Sequence, residues 1–170
     1  MLERIVSGGQ TGVDRAALDA AMEAGFQHGG WVPLGRLAED GRVPDRYKMR
    51  EVAVSAYPVR TERNVMDSDG TLLITLDELD GGTALTAQLA EKHGKPLYIV
   101  RRGWTQETID RVREWIVEKQ IRTLNVAGPR ESRSPGVHAF ALSFLRPLLI
   151  ALRPRASGAA PRDPKEVASF

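Results

Sequence analysis

The sequence predicts an α/β protein with a mainly parallel sheet and helices on both faces. Three observations carry that prediction. Short apolar runs alternate with stretches of helical periodicity, and glycines stand where one gives way to the other. The chain has 170 residues, 42% of them hydrophobic and 27% charged, which suits one globular domain.

Arg4-Ile5-Val6-Ser7 reads as a short buried strand stopped by Gly8-Gly9. Thr11 is placed to cap the next helix with Asp14 as its capping-box partner; Val13, Ala17, Ala20 and Ala24 share one face, and Gly25 ends it. From His28 to Tyr57 the pattern weakens, and Gly29, Gly30, Pro33, Gly35, Gly41 and Pro44 predict a long irregular segment of the kind that often carries function. Thr61 then caps a short helix, and Asp69-Gly70 makes a turn.

Thr71 to Leu76 is a buried strand, and Gly81-Gly82-Thr83 opens a helix closed by Gly94 and Pro96. Pro96 to Val100 is the next strand. Thr105 caps a helix with Ile109, Val112 and Ile116 on one face, and Thr123 to Ala127 is the last strand. Ser134-Pro135 starts a final helix with an apolar stripe from Val137 to Leu152, which Pro147 should kink or end. Core packing is the expected role of that stripe. Four strand-then-helix units in succession make the fold Rossmann-like, a three-layer arrangement over residues 1–152. Residues 153–170 are expected to form a basic, flexible tail.

Composition excludes several functions. Without cysteine there are no disulfides, thiolate metal sites or cysteine nucleophiles. The net charge is +2, and Arg153, Arg155, Arg162 and Lys165 against Asp163 and Glu166 account for it, so the body is balanced and no nucleic acid partner is expected. No secretion signal opens the chain, and the Val137–Leu152 stretch is too short and too interrupted to span a bilayer. The protein is expected in the cytoplasm, with no membrane partner. His28, His93 and His138 lack ligand spacing, so no metal site is expected.

Parallel strands bring their strand-to-helix loops to one sheet edge, where ligands bind. Those loops are Ser7 to Gly12, Asp80 to Thr83, Arg101-Arg102-Gly103 and Gly128 to Ser132. Glycine lets the backbone approach an anion, helix amides favour negative charge, and arginine forks suit phosphate oxygens. A phosphorylated or nucleotide-like ligand follows. Gly9-Gln10-Thr11-Gly12 lacks the lysine of a P-loop, and its spacing misses the dinucleotide fingerprint. Arg60 and Asn64 stand where they can close over the ligand, and Gly35-Arg36 and Glu39-Asp40 are placed to do likewise. As a rival, the same scaffold supports a nucleotide or nucleoside-phosphate hydrolase using Glu39, Asp40, Asp67 or Asp69, or a nucleotide sensor.

The run Ser7-Gly8-Gly9-Gln10-Thr11-Gly12-Val13-Asp14-Arg15-Ala16-Ala17-Leu18-Asp19, with Gly35-Arg36, Ala38-Glu39-Asp40-Gly41, Arg60-Thr61, Asn64-Val65, Ser68-Asp69-Gly70-Thr71, Gly81-Gly82-Thr83 and Leu124-Asn125-Val126-Ala127-Gly128-Pro129-Arg130-Glu131-Ser132, resembles the molybdenum cofactor carrier protein family over residues 5–150. The resemblance implies a Rossmann-like fold similar to that of the cytokinin-activating phosphoribohydrolases. It also implies a bound molybdopterin-type cofactor, a homo-oligomer (dimer or tetramer) and molybdoenzymes as recipients. The ligand-binding residues it points to are Gly8, Gly9, Gln10, Thr11, Arg60, Asn64, Gly81, Gly82, Thr83, Gly128, Arg130 and Ser132. Phosphoribohydrolases place a catalytic glutamate after a Gly-Gly-x-Gly-Thr turn. Here Gly81-Gly82-Thr83 is shorter and runs into Ala84-Leu85-Thr86-Ala87-Gln88 without a carboxylate, so a binder rather than an enzyme is expected.

Overall fold

A computed structural model describes residues 1–153. In chain order the strands are β1 (Arg4–Val6), β2 (Gln27–Val32), β3 (Leu37–Ala38), β4 (Gly41–Arg42), β5 (Met49–Glu51), β6 (Gly70–Ile74), β7 (Leu97–Val100) and β8 (Thr123–Ala127). The helices are α1 (Val13–Ala24), α2 (Tyr57–Met66), α3 (Gly81–Lys92), α4 (Gln106–Glu118) and α5 (Val137–Leu152). Six strands form one parallel sheet in the order β5-β2-β1-β8-β6-β7, and β3 and β4 make a separate antiparallel hairpin. The first strand therefore lies in the middle of the sheet, against the last.

The register aligns Arg4 with Thr123 and Gln27, and Val6 with Asn125 and Gly29. Because side chains alternate along a strand, the two faces differ sharply in character. One face presents Ile5, Leu72, Ile74, Leu124 and Val126 to α1, α4 and α5, and these elements share the main core. The other face mixes polar Arg4, Thr71 and Asn125 with Gly29 and apolar Val6, Leu73 and Ile99, and is covered by α2 and α3, which share the apolar cluster of Val65, Leu89 and Ala90 with Leu85 and Leu97. A third cluster of Leu18, Val32, Val43 and Tyr47 seats the β3–β4 hairpin beside α1.

Several local expectations need correction. The segment from His28 to Tyr57 is irregular only in part: β2 and β5 extend the sheet there, and the turns between them are interrupted by the two-residue strands β3 and β4. Gly29 and Gly30 do not break β2 but permit close approach, since a Cβ on Gly30 would lie 2.0 Å from the Ser7 carbonyl oxygen and Gly30 has φ +131°. Thr11 does not cap α1; Gly12 is the cap residue. Thr61 lies inside α2, its hydroxyl donating to the Tyr57 carbonyl at 3.0 Å, with Pro58 in the first turn. Gly136 precedes α5 rather than Ser134.

Pro147 does not end α5. Its missing N–H deprives the carbonyl of Ser143, an exposed residue that water can solvate, while Phe144, Leu145, Leu148 and Leu149 hold the helix on the core. The apolar stripe of α5 is thereby core. Arg153 ties the end of α5 to α1 by donating from Nε to the Ala24 carbonyl (2.7 Å) and from Nη2 to that of Glu23 (2.9 Å). The basic tail expected beyond it lies outside the described residues.

Candidate functional site

A cavity of about 340 Å³ opens between α2, the start of α3 and the C-terminal ends of β1 and β8. The β1–α1 loop contributes Gly8 and Gln10, α2 contributes Arg60 and Asn64, and α3 contributes Gly81, Gly82 and Thr83. Asn125 of β8, with Gly128, Arg130 and Arg133 beyond it, closes the far side.

Close backbone packing shapes the walls. A Cβ on Gly128 would stand 2.2 Å from the Ile74 carbonyl oxygen and 2.5 Å from Val13 Cγ2, so the end of β8 can lie against β6 and α1 only without a side chain. Gly81 has φ +47° and turns the chain into α3, whose first residues line the cavity. Arg133 Nη2 donates to Asp80 Oδ2 at 2.5 Å, linking the last loop to the start of α3.

The floor holds a buried ion pair. Asp14 is 4% exposed, and Arg60 Nη1 donates to its Oδ2 at 3.2 Å. The same oxygen accepts from the Gln10 amide at 3.2 Å. Burial pushes the Asp14 carboxyl above the usual carboxylate range, and Arg60, the Gln10 amide and Arg15 only partly offset it. The guanidinium lies where Gly8 has no side chain: a Cβ there would come within 1.2 Å of Arg60 Nη1. Arg60 Nε is buried and has no hydrogen-bond partner.

Nine of the twelve residues expected at the site line this cavity: Gly8, Gln10, Arg60, Asn64, Gly81, Gly82, Thr83, Gly128 and Arg130. Gly9, Thr11 and Ser132 do not. Gly9 faces the hairpin cluster, its missing Cβ 3.0 Å from Val32 Cγ1. The hydroxyls of Thr11 and Ser132 both donate to the Glu39 carboxylate, and Arg130 Nε lies 3.8 Å from it. Burial pushes the Glu39 carboxyl up, but donors from Ser132 and Thr11, with Arg130 nearby, outweigh it and hold the group below its ordinary range. Glu39 thus fastens the β3–β4 hairpin to the first and last loops.

Other expected contacts are also engaged elsewhere. Arg36 points inward and donates to the carbonyls of Val43, Pro44 and Tyr47. Asp40 takes both terminal nitrogens of Arg15 at 2.9 Å. Asp67 accepts from Trp31 Nε1, and Asp69 from the amides of Arg122 and Thr123. None of Glu39, Asp40, Asp67 and Asp69 lines the cavity; the carboxylates that do are Asp14 and Asp80. The Arg101-Arg102 loop follows the edge strand β7 and does not reach it.

Asn64 serves both fold and site. Its Oδ1 accepts from the Trp31 amide (2.8 Å) and its Nδ2 donates to the Trp31 carbonyl (3.0 Å). Asn64→Ala should leave both backbone groups unpaired and lower stability by about 2 kcal/mol, read as a shift of the urea midpoint. Sequence reasoning missed Asp14, Asn125, Asp80 and Arg133 as cavity residues. The signal for Asn125 was present, as an amide set inside a buried apolar strand.

The family model of the circularly permutated YpsA SLOG family matches residues 5–149. The chain belongs to that family. The matched span includes every element of this SLOG domain up to α5 and all the cavity residues. A solved structure from Syntrophus aciditrophicus SB, described as a "putative molybdenum carrier protein", is 45% identical, with a TM-score of 0.85 over 87% of this chain and 95% of that one. The Rossmann-like α/β fold is shared with it. No curated protein matches. Among the described residues of this SLOG protein no helix is long and apolar enough to cross a membrane, and no group of three or more histidines, aspartates or glutamates is placed to hold a metal ion.

Proposed function

We propose that the chain binds and shelters the molybdenum cofactor, a phosphorylated pterin, in the cavity between α2 and α3 without altering it chemically. The observation that carries this reading is Arg60: a largely buried guanidinium with its Nε unpartnered, lining the same cavity as the Gly81-Gly82 start of a helix. Such a donor set suits an anionic group, and the volume lies within the range of pockets for small organic ligands. The name given to the Syntrophus aciditrophicus protein supports a molybdenum ligand at family level.

In this reading Gly8 and Gln10 meet one end of the ligand, and the amides of Gly81 and Gly82 with the Thr83 hydroxyl hold phosphate. Arg60 and Arg130 neutralise its charge, or that of a metal oxo group. Thr11 and Ser132 act through Glu39 by fixing the loop that carries Arg130. Molybdoenzymes are the proposed recipients, and the working form is a homo-oligomer, to be measured by light scattering.

Protein purified from a host that makes the cofactor should release molybdenum and, after oxidation, fluorescent pterin, each near one per chain. Absence of both while the host's molybdoenzymes are active would defeat the proposal. Arg130→Ala should weaken binding by about 1.5–3 kcal/mol, as loss of charge-assisted hydrogen bonds predicts. A second reading, nucleoside-phosphate hydrolysis, is favoured by Asp14, a cavity carboxyl whose burial favours its protonated form. It requires release of base or phosphate from a nucleotide panel, lost in Asp14→Asn.

A further inference from the structure

We propose that a second cavity, beneath α2 and lined by Arg4, Trp31, Arg50 and Asp67, binds a small oxyanion of the phosphate class. It has a volume of about 220 Å³ and shares with the first cavity only Asn64, whose amide forms the wall between them. The inference does not depend on what occupies the first.

Arg4 and Thr123, on the face of the sheet that α2 covers, give it polar walls beside Val6. Arg4 begins β1 on the side covered by α2, where an aliphatic residue would ordinarily pack. Its side chain runs across Gly29, and a Cβ there would lie 2.7 Å from Arg4 Nη2. Arg4 Nε is buried without a hydrogen-bond partner, and Arg4 enters no ion pair among the described residues. Arg50, also unpaired among them, lies 5.8 Å from the centre of the Trp31 ring, as does Arg63 of α2. Asp67 is the carboxylate at this cavity, and its Oδ2 already accepts from Trp31 Nε1 at 2.7 Å. Two guanidinium groups therefore line the space against one engaged carboxylate.

Water can satisfy a stray N–H, but it adds no charge to offset the second of two guanidinium groups that face one carboxylate. An oxyanion supplies both acceptors and charge, and arginine forks match its oxygens. The volume is below the roughly 300 Å³ at which pockets for larger organic ligands begin. A free tetrahedral anion therefore suits it better than a nucleotide or pterin.

Calorimetric titration of the full chain with inorganic phosphate at constant ionic strength tests the assignment, with glycerol phosphate as a second arm to separate free anion from phosphomonoester. The Arg130→Ala background reduces the contribution of the first cavity. In that background Arg50→Met and Arg4→Met should each weaken phosphate binding roughly tenfold or more. Arg50 is exposed, so its variant keeps the test open if Arg4→Met fails to fold. Unchanged phosphate affinity in folded Arg50→Met, or no phosphate binding by the wild-type chain, would overturn the site. Preference for glycerol phosphate over inorganic phosphate would overturn the free-anion assignment. Since the readout follows Arg4 and Arg50, a negative molybdenum and pterin assay would leave this result standing.

Discussion

Replacing Gly12 with alanine is expected to lower the unfolding free energy by about 4 kcal/mol, among the largest effects of any single substitution in this chain. Gly12 has φ 76° and ψ −130°, a conformation that residues with a Cβ rarely adopt and that strains them by about 1–3 kcal/mol. The added carbon would also lie 2.3 Å from the Pro129 carbonyl oxygen and 2.9 Å from the Arg130 backbone. No side-chain rotation relieves that contact, because both partners are main chain. The Val13 amide donates to the same Pro129 oxygen at 3.2 Å, so moving the loops apart breaks the joint between the first and last crossings. Gly25→Ala is the control. Gly25 also has positive φ, 75°, but nothing lies within 4 Å of its missing Cβ, so only the strain of about 1–2 kcal/mol should remain. Equal urea midpoints for the two variants would show that the loops can part freely.

Arg60→Leu should destabilise the protein by about 3–5 kcal/mol at neutral pH, because it leaves the Asp14 carboxylate buried without its counter-charge. The loss should shrink in acid. Burial already raises the folded pKa of Asp14 above its ordinary 3.8, so the native state takes up a proton more readily than the unfolded chain does. That contribution is fully present below the unfolded pKa and is lost as pH rises through the folded value. Removing Arg60 pushes the folded value higher, so the fall starts at the same unfolded pKa but extends to higher pH and goes deeper. The Arg60→Leu/Asp14→Asn pair should recover much of the loss, giving a large coupling in a double-mutant cycle. A deficit in Arg60→Leu that is constant with pH would mean that lost packing, not the orphaned charge, is responsible.

Sequence reading succeeded where one physical signal dominated. The runs at Leu72–Ile74 and Leu124–Val126 are buried on both faces or nearly so, and the Ile109–Val112–Ile116 face has helical spacing with Thr105 before it. It failed where a residue's role is set by something distant. Gly29 and Gly30 looked like loop glycines, but they accommodate Arg4 and the Ser7 carbonyl across the sheet. Thr11 and Ser132 looked like caps or anion ligands, yet Glu39, remote in sequence, takes both hydroxyls. Gly8 and Gly9 could not be told apart in the sequence, although one opens the cavity and the other faces the hairpin cluster. Asp14 resembled a capping residue; only α2, folded over it, shows it to be half of a buried ion pair.

The position of β1 between β2 and β8 has a consequence for the birth of the protein. The strand made first finds one of its two partners only when β8 has been synthesised. Until then α1 has no α5 to pack on, Gly12 has no Pro129 to approach, and the cavity lacks an entire wall. A nascent chain stalled before residue 123 thus carries the glycine-rich opening of the site but not the loop bearing Arg130. Closing the cavity and covering the α1 face of the sheet are thus a single late event, tied to the arrival of β8 and α5.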